Sequence, residues 1–147
     1  MAFQAGKRRV LFLCTQNSCR SQVAEGWARA LHSDSIEAFS AGTDPAEIDA
    51  RAVQIMAEAG VDISLQRPKH VDTLTDINFD AVITVCDHAN ESCPVFPGRV
   101  RRLHAGFDDP PRLALAADSE EEVLECYRGV RDEIRRYVQS LPGYLKE

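Results

Sequence analysis

The chain has 147 residues, 44% of them hydrophobic and 27% charged, enough for one domain with a real core. A formal net charge of −6 excludes a uniformly basic nucleic-acid surface but leaves room for a local anion site. No apolar run approaches the about 20 residues of a membrane helix, and Met1 to Arg9 lack the apolar stretch of a signal peptide, so the cytoplasm is the expected compartment. Five cysteines in such a chain point to buried thiols, metal ligands or redox chemistry rather than a static disulfide framework.

In chain order, Val10 to Cys14 is a continuous apolar run, as a strand covered on both faces requires. Val23, Ala24, Trp27, Ala28 and Leu31 then recur at helical spacing. Ile36 to Ser40 reads as a short strand. Asp49 is placed to cap a helix carrying Val53, Met56 and Ala57 on one side, and Gly60 to end it. Phe79 to Val85 is a second buried strand and Val100 to His104 a fourth, weaker one. Ser119 and Glu122 form a capping-box pattern before a last helix. Val123, Tyr127, Val130, Ile134, Val138 and Leu141 make its apolar face, and Pro142-Gly143 is expected to stop it. Strands alternating with helices predict a single α/β domain over residues 1–147, with a four-stranded parallel sheet flanked by helices. Ligands of such sheets bind beyond the C-terminal strand ends.

The stretch Cys14-Thr15-Gln16-Asn17-Ser18-Cys19-Arg20-Ser21 joins the first strand to the first helix. Cys-x5-Arg spacing alone says little, because Cys93 to Arg99 repeats it with two prolines inside. The first stretch has no proline. Its amides can all turn inward as an anion nest at the positive end of a helix. Arg20 offers a planar fork for a tetrahedral oxyanion. The helix dipole, Arg20 and the Ser21 hydroxyl should favour a Cys14 thiolate; thiols so placed commonly fall to roughly 3.5–7.5 in pKa. Phe107-Asp108-Asp109-Pro110 follows the fourth strand. Asp109 is held in extended or turn backbone by Pro110, with Asp108 a weaker candidate acid. Cys86 ends a second apolar strand, on the same rim as Cys14 if the sheet is parallel. Neighbouring strands lie about 4.8 Å apart, within the range a disulfide spans. Cys93 is seven residues further on. On a helix those two would sit about 10.5 Å apart along the axis, so a Cys86–Cys93 bridge requires the segment to loop out.

The run from Cys14 to Trp27 closely resembles the phosphate loop of thioredoxin-coupled arsenate reductases, which share the low-molecular-weight protein tyrosine phosphatase fold. The resemblance covers about Lys7 to Tyr137. It implies a flavodoxin-like topology and reduction of arsenate to arsenite by a three-cysteine relay. Cys14 is then the nucleophile, Cys86 and Cys93 the second and third thiols that end as a redox disulfide, and thioredoxin the reductant. Asp109 matches the family's general acid and protonates the departing oxygen. The oxyanion is held by Thr15, Gln16, Asn17, Ser18, Cys19, Arg20 and Ser21. No cofactor, structural metal, nucleic acid or membrane is called for, and the chain is read as a monomer. Gln16 replaces a usual glycine, and His104-Ala105-Gly106-Phe107 lacks the tryptophan common before the acid. Some members hold potassium with residues matching Asn17, Glu25 and Ser40 plus an acid. Lys69 stands at the acid position, so its ammonium is expected to replace the ion and pair with Glu25. Two other readings remain at this stage. A tyrosine phosphatase needs only Cys14, Arg20 and Asp109, although Pro111-Arg112 stands where an aromatic usually flanks the substrate ring. A cysteine phosphocarrier domain needs neither Arg20 nor three thiols. A zinc site from Cys86, His88, Cys93 and His104 lacks standard spacing. Cys126, Trp27, His32 and His70 read as structural.

Overall fold

The computed structural model describes residues 6–86, 96 and 98–145. Four parallel strands form one sheet: β1 (Arg8–Cys14), β2 (Ile36–Gly42), β3 (Ala81–Thr84) and β4 (Arg101–His104), in the order β2-β1-β3-β4. The central position of β1 explains its composition. Val10, Leu11, Phe12 and Leu13 are all fully buried, because both faces and both edges of this strand are covered. The register pairs Leu13 with Ala41 on one side and with Thr84 on the other. The Val85 N–H then donates to the Leu13 carbonyl at 2.9 Å. Cys14 and Cys86 therefore emerge side by side from neighbouring strands, at the rim where the sequence placed them.

The helices are α1 (Arg20–Leu31), α2 (Ala50–Glu58), the single turn α3 (Pro110–Leu113), α4 (Glu120–Gln139) and the short α5 (Leu141–Tyr144). Asp49 caps α2 by accepting the Arg51 N–H at 2.8 Å. Gly60, just past its end, takes the positive φ of 86° that a glycine tolerates. The Ser119 hydroxyl accepts the Glu122 N–H at 3.2 Å, while the Glu122 carboxylate reaches the Asp118 N–H at 2.7 Å. The capping box thus closes one residue earlier than the motif describes. On α4 the buried stripe is Leu124, Tyr127, Val130, Ile134 and Val138. Leu124 takes the place expected for Val123, which is only half-buried. Pro142 and Gly143 do not end α4 directly. The helix stops at Gln139, and both residues lie within α5, where proline is accepted in a first turn.

Helices α1, α2 and α4 pack against one another. Trp27 is 3% exposed and donates its indole N–H to the Arg131 carbonyl of α4, while Arg135 lies over its ring. Phe39, Phe79 and Phe96 form successive edge-to-face pairs. No helix among the described residues is long and apolar enough to cross a membrane.

Candidate active site

The loop from Cys14 to Arg20 is held from outside by its carbonyls. Those of Cys14, Thr15, Gln16 and Ser18 accept the N–H groups of Thr43, Asp44, Ala46 and Asp49 at 2.7–3.2 Å. A trans peptide points its N–H opposite its C=O, so tethering the carbonyls outward leaves loop amides on the inner side. This is the nest expected from the sequence. Gly42 makes the close approach possible, since a Cβ there would stand 2.5 Å from the Thr15 carbonyl oxygen. Asn17 adopts φ 54°, a left-handed conformation that asparagine tolerates better than most residues. Its amide is locked on both sides: Nδ2 donates to Ser21 Oγ at 2.8 Å and Oδ1 accepts the Lys69 N–H at 3.0 Å. Gln22 Nε2 holds the Asn17 carbonyl at 2.9 Å, and Gln66 holds Gln22 in turn. Gln22 lies in the run that carries the family resemblance but has no role assigned from the sequence, and Gln66 carries no recognisable signal there.

The loop encloses a cavity of about 230 Å³ lined by Cys14, Thr15, Gln16, Ser18, Cys19, Arg20 and Asp109. That is below the ~300–1,000 Å³ of pockets for drug-sized ligands and suits a small oxyanion. Asn17 and Ser21, expected among the oxyanion ligands, lie behind this lining, fully buried. They face the Cys14 thiol: Ser21 Oγ is 2.8 Å from Cys14 Sγ, and the Asn17 N–H donates to that sulfur at 3.2 Å. The expected fall in the Cys14 pKa is not met. Burial pushes this thiol up, the hydrogen bonds from Ser21 and Asn17 pull it down, and Cys86 adds a smaller upward push. Cys19 is driven well above its ordinary value, first by burial and then by the charges of Asp49, Cys14 and Asp109.

Arg20 closes one side of the cavity. One guanidinium nitrogen donates to the Phe107 carbonyl at 2.9 Å, and another lies 3.8 Å from Asp109 Oδ1. Asp109 has the extended backbone that Pro110 imposes, φ −84° and ψ 111°, and leads into α3. Both sequence-assigned groups therefore converge on Cys14. Asp108 lines only the wider groove beside them, of about 760 Å³, with Thr15, Arg20, Cys86, Arg112 and Leu113. Cys86 is 6% exposed, and its sulfur lies 3.3 Å from the Thr15 hydroxyl. Ala105 stands at the position of the missing tryptophan, and Phe107, two residues on, packs edge-on against Tyr137. Cys93 and His88 lie outside the described residues, and so does the Cys86–Cys93 bridge expected from the sequence.

Lys69 corrects one expectation. Its ammonium donates to the Ser40 carbonyl at 3.0 Å and does not pair with Glu25. Arg29 takes the Glu25 carboxylate at 2.7 Å, and the Ser40 hydroxyl donates to it at 2.6 Å. Glu25 comes one turn before Arg29 on α1, so a local pair wins over the distant lysine. With an ammonium already on the Ser40 carbonyl, these residues do not fit a potassium ion. Of the remaining residues read as structural, His32 bonds the Val138 carbonyl at 2.7 Å and His70 Nδ1 accepts the Asp72 N–H at 3.0 Å. Cys126 is half-buried on α4 rather than fully in the core.

The family model described as low molecular weight phosphotyrosine protein phosphatase matches residues 9–147. An arsenate reductase of Bacillus licheniformis is 46% identical over 128 residues, which span 87% of this chain and 90% of the relative. A solved arsenate reductase in the phosphate binding state superimposes with a TM-score of 0.71 at 27% identity, covering 95% of this chain and 99% of that one. A thioredoxin-dependent arsenate reductase of Corynebacterium glutamicum gives a TM-score of 0.61 at 28% identity, over 93% of this chain and 64% of that one.

Proposed function

The chain belongs to the low molecular weight phosphotyrosine protein phosphatase family, and from that membership we propose that it is an arsenate reductase working through three cysteines. The observation that carries the reading is the second thiol at the rim of the oxyanion loop. Cys86 rises from the strand beside the Cys14 strand and touches Thr15 of the loop itself. Phosphatase chemistry has no use for a thiol there, and a phosphocarrier has no use for Arg20. Relatives 37–46% identical to this chain carry the name arsenate reductase, which supports the same choice.

Arsenate enters the nest against the inward amides and the Arg20 guanidinium. The Cys14 sulfur attacks arsenic, Asp109 protonates the departing oxygen, and water leaves a Cys14–arsenic adduct. The Cys14 proton passes to an oxygen of the bound arsenate, and Ser21 and the Asn17 amide stabilise the negative sulfur that remains. Cys86 then attacks the Cys14 sulfur. The sulfur–arsenic bond breaks with its electron pair on arsenic, As(V) becomes As(III), and a Cys14–Cys86 disulfide remains. Cys93 attacks Cys86 and frees Cys14. Thioredoxin reduces the Cys86–Cys93 disulfide by thiol–disulfide exchange. The role of Cys93 rests on its spacing and on the family, and that of thioredoxin on the family and on the thioredoxin-dependent relative.

The relay is tested by Cys93→Ser in a single-turnover assay with disulfides mapped by mass spectrometry. About one arsenite per enzyme should form before the reaction stalls as a Cys14–Cys86 disulfide, because the third thiol is gone. Undiminished multiple turnover with thioredoxin would remove Cys93 from the scheme. Phosphate release from aryl phosphate at a rate matching arsenate turnover would favour the phosphatase reading instead.

A further inference from the structure

Tyr127 sits on the buried face of α4 and is 2% exposed. Phenylalanine would fill that space, so packing does not account for the hydroxyl. A buried phenol needs a partner, and this one donates to Asp49 Oδ2 at 2.6 Å, a charge-assisted hydrogen bond. Asp49 has two further duties. Its other carboxylate oxygen caps α2 through the Arg51 N–H, and its own N–H donates to the Ser18 carbonyl at 2.9 Å. Ser18 is in the oxyanion loop, two residues before Arg20. Drawing its carbonyl outward turns the Cys19 N–H of the same peptide toward the inner side. The tethers at Cys14, Thr15 and Gln16 come from Thr43, Asp44 and Ala46, between β2 and α2. The Ser18 tether alone among these four is anchored by a side-chain hydrogen bond to α4. It also brings a carboxylate close behind a site for anions, near enough for its charge to act on Cys19. A free carboxylate able to swing toward the loop would oppose oxyanion binding. One held by Tyr127 and the α2 cap cannot swing.

We propose that Tyr127 and Asp49 form a positioning pair through which the C-terminal helix holds the Ser18–Arg20 turn in its oxyanion-binding shape. The pair sets the affinity of the site without touching the oxyanion. This deepens the oxyanion-site reading given above and rests on it.

The test uses the full chain and inorganic phosphate as the probe, with binding measured by calorimetry beside steady-state arsenate reduction. Tyr127→Phe should weaken phosphate binding roughly five- to twentyfold, part of what a lost hydrogen bond to a charged group is worth. Arsenate KM should rise in step, with kcat little changed, because the chemistry at Cys14 is untouched. Asp49→Ser keeps a good cap for α2 but cannot reach Tyr127; it loses the brace without freeing a carboxylate, so it should weaken phosphate binding less than Tyr127→Phe does. Arg128→Ala supplies the structural control. It removes the tie between α4 and Glu58 of α2, and should lower the melting temperature while leaving phosphate affinity unchanged. The proposal is overturned if Tyr127→Phe binds phosphate as tightly as the parent chain, or if Arg128→Ala weakens binding as much. A parent chain that binds phosphate yet reduces no arsenate would sink the reductase reading and leave this test intact.

Discussion

Two effects meet at the Cys14 sulfur. Burial removes the water that would solvate a thiolate, while Ser21 Oγ at 2.8 Å and the Asn17 N–H at 3.2 Å favour the charged form. Burial outweighs these contacts, so the folded-state pKa is raised. The rate of iodoacetamide alkylation in oxyanion-free buffer should therefore keep climbing with pH beyond the range of an exposed cysteine. Ser21→Ala deletes a lowering contact and should move that climb to still higher pH and slow turnover. A profile that shifts downward would show that Ser21 does not stabilise the sulfur. Gly42 is equally demanding on steric grounds. Gly42→Ala sets a methyl group 2.5 Å from the Thr15 carbonyl, so the loop must move, and oxyanion affinity should fall more than stability does.

At the scale of elements, the site is a seam where β1 ends and α1 begins, and its precision depends on what braces that seam. The outer brace is the chain between β2 and α2, and behind it lies α4. Most of the stability of this helix lies in one buried stripe, and the ion pairs that Arg128 makes with Glu58, Glu121 and Glu125 add a smaller share. Ile134→Ala, at a position 1% exposed, should cost about 2–5 kcal/mol in urea denaturation. It lies two turns beyond Tyr127, so arsenate KM in the folded fraction should stay near the parent value. A large KM change there would mean that α4 transmits packing defects generally, rather than through the Tyr127 hydroxyl.

For the molecule as a whole, strand order is the decisive property. Placing β1 between β2 and β3 puts the Cys14 loop next to the Cys86 rim, and β4 then delivers the Phe107–Asp109 segment to the same edge. The Lys69 ammonium joins β2 to the back of the loop, with its own backbone N–H on Asn17 and its Nζ on Ser40. Burial depresses the Lys69 pKa while the Glu25 charge supports the ammonium. A built-in cation here predicts activity that stays flat as potassium replaces sodium. Lys69→Asp, which removes that cation and restores an acid, should introduce a potassium response. A parent enzyme whose rate rises steeply with potassium would refute this.

Local patterns were enough for the alternation of strands and helices, the cap at Asp49, the anion loop after an unbroken apolar strand, and the extended backbone of Asp109 before proline. Each depends on residues close together in the chain, where steric and hydrogen-bonding rules act directly. The Cys14 pKa, the retreat of Asn17 and Ser21 behind the cavity, the choice of Arg29 over Lys69 by Glu25, and the Tyr127–Asp49 contact were settled only by folding. Desolvation and long-range hydrogen bonds depend on which atoms are brought together from distant segments, such as the 78 residues separating Asp49 from Tyr127. No periodicity or motif within one element carries that information.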